Sequence, residues 1–262
     1  MDFIGAGGWS YFRVPGEAPL AAYARAFRFV EVNATFYRHP APRAVEAWRR
    51  RVPEDFVFSV KCHRAVTHTE SLAPTEAALD AFGRSLAIAH RLRAPAFVLE
   101  TPASLRFTAA KARDLTSLLA SADRRGIAIA LEARAHAVGN LPPPLERAMR
   151  DLGIVDATDY SRQPPRVAEE VGYTRLFGRG EHNQWVFSDR ELQAIAETRG
   201  KTGADRVFFT FHGVRMYRDA ARYLALQRKG PLPPIPGKEQ ARLPLQTVAG
   251  PRGRGAYLHA YP

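Results

Sequence analysis

The sequence predicts an α/β fold, a TIM-type (β/α)8 barrel of parallel strands filling residues 1–228, with a basic Pro/Gly-rich C-terminal tail from 229 to 262. Three observations carry that expectation. Eight short β-rich runs alternate with stretches of helical spacing. The length suits one barrel, and hydrophobic residues at 46% against charged residues at 24% are the balance of a chain able to bury a large core. The character of the chain then changes abruptly at Lys229.

The strand candidates are Phe3 to Gly7, Phe29 to Asn33, Val57 to Lys61, Ala96 to Glu100, Ile127 to Glu132, Gly153 to Asp156, Tyr173 to Gly178 and Arg206 to His212. Between them, Leu79, Phe82, Leu86 and Ala89 step by three and four, as do Leu115, Leu118 and Ala122. Ser188 and Glu191 have capping-box spacing ahead of a helix through Leu192 and Ile195. Alternation of this kind implies parallel strands joined by right-handed crossovers, and eight rounds suggest closure. A doubly wound open sheet is the alternative. The tail holds seven prolines and five glycines without a periodic apolar face, which predicts a flexible or surface-laid segment.

No stretch approaches the 18 apolar residues of a membrane span, and Met1-Asp-Phe-Ile-Gly5 lacks the basic and apolar regions of a signal peptide. A cytoplasmic protein with no membrane partner is the expectation, and the sequence specifies no oligomeric state. The single cysteine, Cys62, reads as a small buried hydrophobe rather than a nucleophile. The formal charge is +12. The tail carries five Lys/Arg against one Glu, which leaves +8 to the first 228 residues. Such a balance suits nucleic acid, an anionic surface or anionic metabolites, but no helix carries a dense Lys/Arg block and the arginines are scattered along the chain, so they read first as a solvated surface.

Strand side chains alternate faces, so residues two apart point the same way. Ile127, Ile129 and Leu131 then pack on the helices while Ala130, Glu132 and Arg134 face the interior. The same count turns inward Glu31 with Asn33, Ser59 with Lys61, Glu100, Thr210 with His212, and Arg175 with Phe177; Asp156 closes the sixth strand. These charges lie at C-terminal strand ends, where barrel enzymes keep their active sites. Buried charges held close together shift one another's pKa values in the way acid-base catalysis needs. A self-neutralising plug of salt bridges is the competing explanation. Trp9, Tyr11, Phe36 and Tyr37 follow the first two strands and could stack a sugar or base, or could simply pack.

Other chemistries find little support. Histidines 63, 68, 136, 182 and 212 lie near strand ends, yet no His-Glu-x-x-His or paired-cysteine motif exists. No cofactor or metal is required, although a divalent metal on mixed His and carboxylate ligands stays open. Gly5-Ala-Gly-Gly8 lacks phosphate-loop spacing, and there is no G-x-S-x-G elbow.

Val30-Glu-Val-Asn-Ala-Thr-Phe-Tyr-Arg-His-Pro40 resembles the Val-Glu-Ile-Asn-Ser-Thr-Phe-Tyr-Arg signature of the YecE-like family, domain of unknown function 72, with Ala34 in the Ser position. Gly5-Ala-Gly-Gly-Trp-Ser-Tyr11, Phe56-Val-Phe-Ser-Val-Lys61 with Thr67-His68, Glu132-Ala-Arg134 and Tyr173-Thr-Arg-Leu176 match in order. The resemblance covers about residues 3 to 228 and implies a barrel of the TIM group. It also exposes departures. The family usually has Gln at the position of Glu100, His at Ala135 and Phe177, and Asn-Asn at His212-Gly213, which implies an altered or lost activity if those residues act in relatives.

Two functions fit. In the first, Glu132 or Glu31 is a general acid/base while Lys61, Arg134 and Arg175 orient a small anionic, phosphorylated or sugar-like ligand, with Asn33, Tyr37, Trp9, Glu100, Asp156 and His212 around it. In the second, an endonuclease-like barrel binds nucleic acid or acts on phosphodiesters. A pure interaction module is a third.

Overall fold

In the computed structural model, which describes residues 1–124, 126–180 and 184–228, eight strands form one parallel sheet. They are β1 (Asp2–Ala6), β2 (Phe29–Val32), β3 (Val57–Lys61), β4 (Ala96–Thr101), β5 (Ala128–Ala133), β6 (Val155–Asp156), β7 (Val171–Leu176) and β8 (Arg206–Phe211). Their order is β6-β5-β4-β3-β2-β1-β8-β7. The end strands meet through a parallel bridge between Thr158 and Thr174, where the Arg175 amide donates to the Thr158 carbonyl at 3.2 Å. The sheet thus curls into a nearly closed barrel rather than an open sheet.

Seven helices coat it: α1 (Pro19–Ala26), α2 (Pro42–Arg50), α3 (Glu76–Leu92), α4 (Ala109–Ala120), α5 (Pro143–Leu152), α6 (Asp189–Lys201) and α7 (Met216–Arg228). The predicted stripes are the buried ones, with Phe82, Leu86 and Ala89 on α3 and Leu115 and Leu118 on α4. Ser188 and Glu191 form both halves of the capping box at the start of α6. Strict alternation fails once, because 157–170 joins β6 to β7 without a helix. Pro164 and Pro165 offer no amide hydrogens there and restrict the residues before them. The sixth strand is also shorter than expected. Gly153 takes φ 61° to cap α5 and cannot start a strand.

Two apolar layers result from the alternation of faces. Ile129, Leu131, Phe97, Leu99, Val60 and Phe209 pack outward on the helices. Phe29, Ala96, Val98, Ala130, Val155, Tyr173 and Phe208 fill the lumen, where the Phe3 and Phe208 rings stack at 4.9 Å. Large and small side chains interdigitate, so the lower lumen is a packed plug and the next layer up can be polar. No described helix is long and apolar enough to cross a membrane. The predicted tail at 229–262 and His182 lie outside the described residues.

Candidate functional site

Above the apolar plug, the parity of the strands brings Glu31, Lys61, Glu100, Glu132 and Arg175 to the C-terminal end of the lumen. Register makes this unavoidable, since Glu31 pairs with Ser59 on β3, Glu100 with Glu132 on β5, and Arg175 with Thr210 on β8. Arg175 is the hub, with its side chain 2% exposed and Glu31 fully buried beside it. Its Nε donates to Glu31 Oε2 at 3.1 Å and its Nη2 to Oε1 at 2.9 Å, while Nη1 donates to both Glu100 and Glu132. Lys61 Nζ lies 2.8 Å from Glu100 and 3.9 Å above the Phe36 ring. Arg134 reaches in from just past β5, with Nε 3.1 Å from Glu132 and Nη2 3.0 Å from Glu100. Three carboxylates face three cations.

Tyr173 belongs to this layer although the sequence reading passed over it. Ser59 Oγ and the Tyr173 hydroxyl lie 2.6 Å apart, and Tyr173 donates to Glu31 Oε2 at 2.8 Å, closing the cluster from below. Its position two residues before Arg175 on one strand was the available signal. His212 sits alongside, Nε2 3.2 Å from Thr210 Oγ1 and 3.7 Å from Glu31, with its ring stacked on Phe177 at 4.4 Å. Asn33 donates to the Gly7 carbonyl at 2.7 Å. Gly7 has no alternative here, since a Cβ would fall 2.3 Å from the His212 ring. Tyr37, half-exposed, lies within the electrostatic range of Glu100 and Arg134.

Two expected members are elsewhere. Asp156 pairs in register with outward-facing Leu131, and Arg166 holds its carboxylate with Nε and Nη2 both at 2.8 Å. Parity decides this: Val155 and Ala157 take the lumen, so the residue between them cannot. Trp9 packs edge-on against Trp48 of α2 and against Phe58, a side chain of the outer layer. Asp159, unnamed by the sequence reading, is partly buried in the β6–β7 connection and accepts from Ser161 and from the Phe177 and Gly178 amides. Its carboxyl is nonetheless raised, because burial outweighs those bonds.

The titration behaviour follows from burial and charge. Burial opposes ionisation of Glu100, but Lys61, Arg175 and Arg134 together outweigh it and hold the carboxyl well below its ordinary value. Burial lowers the Lys61 ammonium, an effect Glu100 only partly offsets. Burial, then Arg175, pushes His212 well below its ordinary 6.5, and burial likewise lowers His63, His68 and His136 and takes His39 to about 4. All these groups bind protons more weakly folded than unfolded, so acid favours the unfolded chain. We expect the histidine and Glu100 contributions to be fully present above about pH 6.5, with a loss starting below it as the histidines resist protonation and a further loss in the carboxylate range from Glu100, partly offset by Asp159, which binds its proton more tightly in the folded chain. Urea unfolding from pH 8 to 4 checks this; a flat profile between pH 7 and 5 would contradict it.

Beside the cluster, a small, partly open pocket of about 50 Å³ is lined by Glu132, Thr158, Asp159, Arg162, Arg166, Arg175 and Phe177, among others. Glu132 and Arg134 are the cluster's most accessible charges, with side chains 15% and 35% exposed. Among the described residues no group of three His, Cys, Asp or Glu side chains is placed to hold a metal ion. Cys62 is buried and free.

A nearly closed parallel barrel with a charged layer at its C-terminal end places the chain among TIM-barrel proteins. It belongs to the family described as protein of unknown function DUF72, whose model matches residues 3–240, twelve residues beyond the expected end of the barrel. Escherichia coli (strain K12) UPF0759 protein YecE is 36% identical over 74 residues, 28% of this chain and 27% of that protein. Bacillus subtilis (strain 168) UPF0759 protein YunF is 33% identical over 96 residues, 33% and 34% of the two chains. The matched stretches thus span about a third or less of those relatives. Among solved structures, a DUF72 family protein from Enterococcus faecalis V583 superposes with TM-score 0.68 at 18% identity, covering 87% of this chain and 98% of that one. A D-psicose 3-epimerase (TM-score 0.55, covering 80% and 91%) and endonuclease IV from Thermus thermophilus (0.51, covering 87% and 97%) share the fold at 12% identity.

Proposed function

We propose that the chain binds a small anionic molecule, phosphorylated or sugar-like, at the C-terminal mouth of the barrel and performs acid-base chemistry on it. The observation that carries this reading is the pocket wall, where a partly exposed carboxylate, Glu132, adjoins three guanidinium groups. A purely structural lumen is more simply filled with aliphatic side chains than with six charges, each of which costs desolvation.

The geometry supports separate roles. Arg162 and the exposed edge of Arg134 meet the anion first; Arg162 has no ion-pair partner among the described residues. Glu132, the carboxylate nearest solvent, exchanges a proton with the bound molecule. Glu31 is less suited to that work, because Arg175 and Tyr173 hold both of its oxygens beneath the surface. It positions Arg175, and Arg175 in turn orients Glu132. Lys61 with Glu100 completes the charge balance, and Phe177 with His212 walls one side. A site at this end agrees with the position of active sites in TIM-barrel enzymes.

The test uses pentose and hexose phosphates in D2O, with exchange of carbon-bound hydrogen followed by NMR. We expect the chain to catalyse exchange in at least one carbonyl-containing member. Absence of exchange across aldose and ketose phosphates would remove the acid-base half of the reading.

A further inference from the structure

We propose that the rim of the barrel mouth is a docking surface for the phosphate backbone of a nucleic acid. Arginines that look scattered in the sequence are regularly spaced in the fold. The connections that leave the C-terminal strand ends carry Arg13 after β1, Arg38 after β2, Arg64 after β3, Arg106 after β4, Arg162 after β6, Arg179 after β7 and Arg215 after β8. The connection after β5 carries Arg134, which turns into the charged cluster. The seven others are all exposed. Among the described residues none has a carboxylate partner, and only the Arg106 side chain donates a hydrogen bond, to the Ala135 carbonyl at 3.0 Å.

Carboxylates are fewer on the same connections. Glu17 is paired with Arg25, Glu70 accepts from Thr75, Asp159 is partly buried against backbone amides, Glu181 lies outside the described residues, and Glu169 and Glu170 adjoin the start of β7 at the opposite end of the barrel. At that opposite end the charges pair off, as in Arg199 with Asp2, Arg28 with Asp55 and Arg93 with Glu54. The mouth of the barrel is therefore net positive, while the opposite end is close to neutral.

The form of this charge selects its partner. Seven arginines on seven different connections around the mouth suit repeated phosphates better than one small anion. Every cation is a guanidinium, which grips phosphate through two parallel hydrogen bonds. Tyr37 is exposed on the connection that carries Arg38, and Tyr11 is partly exposed on the one that carries Arg13, both rings being suited to stacking with unpaired bases. The other large apolar side chains exposed there are Val138, Val186 and Val214, which lack the aromatic or leucine wedge with which proteins enter a lipid interface. The inference goes beyond the small-ligand reading and shares Arg162 with it, but the test reverses Arg13, Arg64 and Arg179, which that reading does not use, so either can fail alone.

The test uses the full chain, fluorescent single- and double-stranded DNA and RNA 30-mers, and phosphatidylserine vesicles. A triple reversal at the rim, Arg13→Glu, Arg64→Glu and Arg179→Glu, is compared with an equal reversal on exposed helix positions, Arg91→Glu, Arg113→Glu and Arg147→Glu. We expect salt-dependent binding that the rim reversal weakens about tenfold or more, flattening the log-log salt slope by about two to three, while the helix reversal leaves most of it. Equal loss in both variants would assign the binding to general charge or to the basic tail and overturn the proposal. So would binding to vesicles alone, or to none of the probes. Should the triple variant not fold, Arg64→Ala and Arg179→Ala read the same slope singly.

Discussion

Replacing Arg175 by methionine is expected to destabilise the chain by about 3–5 kcal/mol at neutral pH, the cost of stranding buried carboxylates without their cation. The hub serves three acids at once, and Glu31 has no access to water from which to recover its hydration. The loss should shrink as pH falls. Protonated carboxyl groups no longer need a countercharge, and the parent itself loses stability as Glu100, held well below its ordinary value, finally binds a proton. Urea unfolding of both proteins at pH 7 and pH 4.5 measures the difference; an equal gap at the two pH values would show that lost packing, not charge, dominates.

Glu132→Gln is expected to do the reverse, abolishing proton exchange while melting within a few degrees of the parent. The amide keeps one oxygen acceptor, for buried Arg175, and turns its NH2 toward Arg134; Arg175 retains Glu31 and Glu100, and Arg134 retains Glu100 and is exposed enough to recover hydration. Charge-crowded sites kept for function often give up activity without giving up stability. Calorimetry and the D2O assay on one preparation decide the matter. A collapse in melting temperature would make Glu132 part of a structural plug.

The departures from the family pattern are not scattered. Phe177 and His212 stack on each other, and Glu100 is where Lys61, Arg134 and Arg175 converge. With glutamine at that position the same layer would hold three cations against two carboxylates. Glu100 therefore gives this chain a neutral layer and lowers its pull on an anion.

The barrel was legible because parallel strands need helical crossovers, and the inward set because strand side chains alternate without exception over four to six residues. The same rule failed at Asp156, where the strand is two residues long and only its register with β5 fixes the face. Trp9 follows β1 in a connection, where alternation gives no guidance, and the outer aromatics claimed it. The rim arginines were invisible as a group because their spacing in sequence is set by helix and strand lengths, and becomes a ring only once the strands close.

The central claim is that an anion site opens beside Glu132 at the barrel mouth. Thermal unfolding of the parent and of Arg162→Ala, titrated with inorganic phosphate at constant ionic strength, tests it most directly, since a ligand that binds only the folded chain raises Tm with its concentration. The account predicts a saturable rise in the parent that Arg162→Ala loses while its own phosphate-free Tm stays put. No rise in the parent, or an equal rise in both, would contradict it.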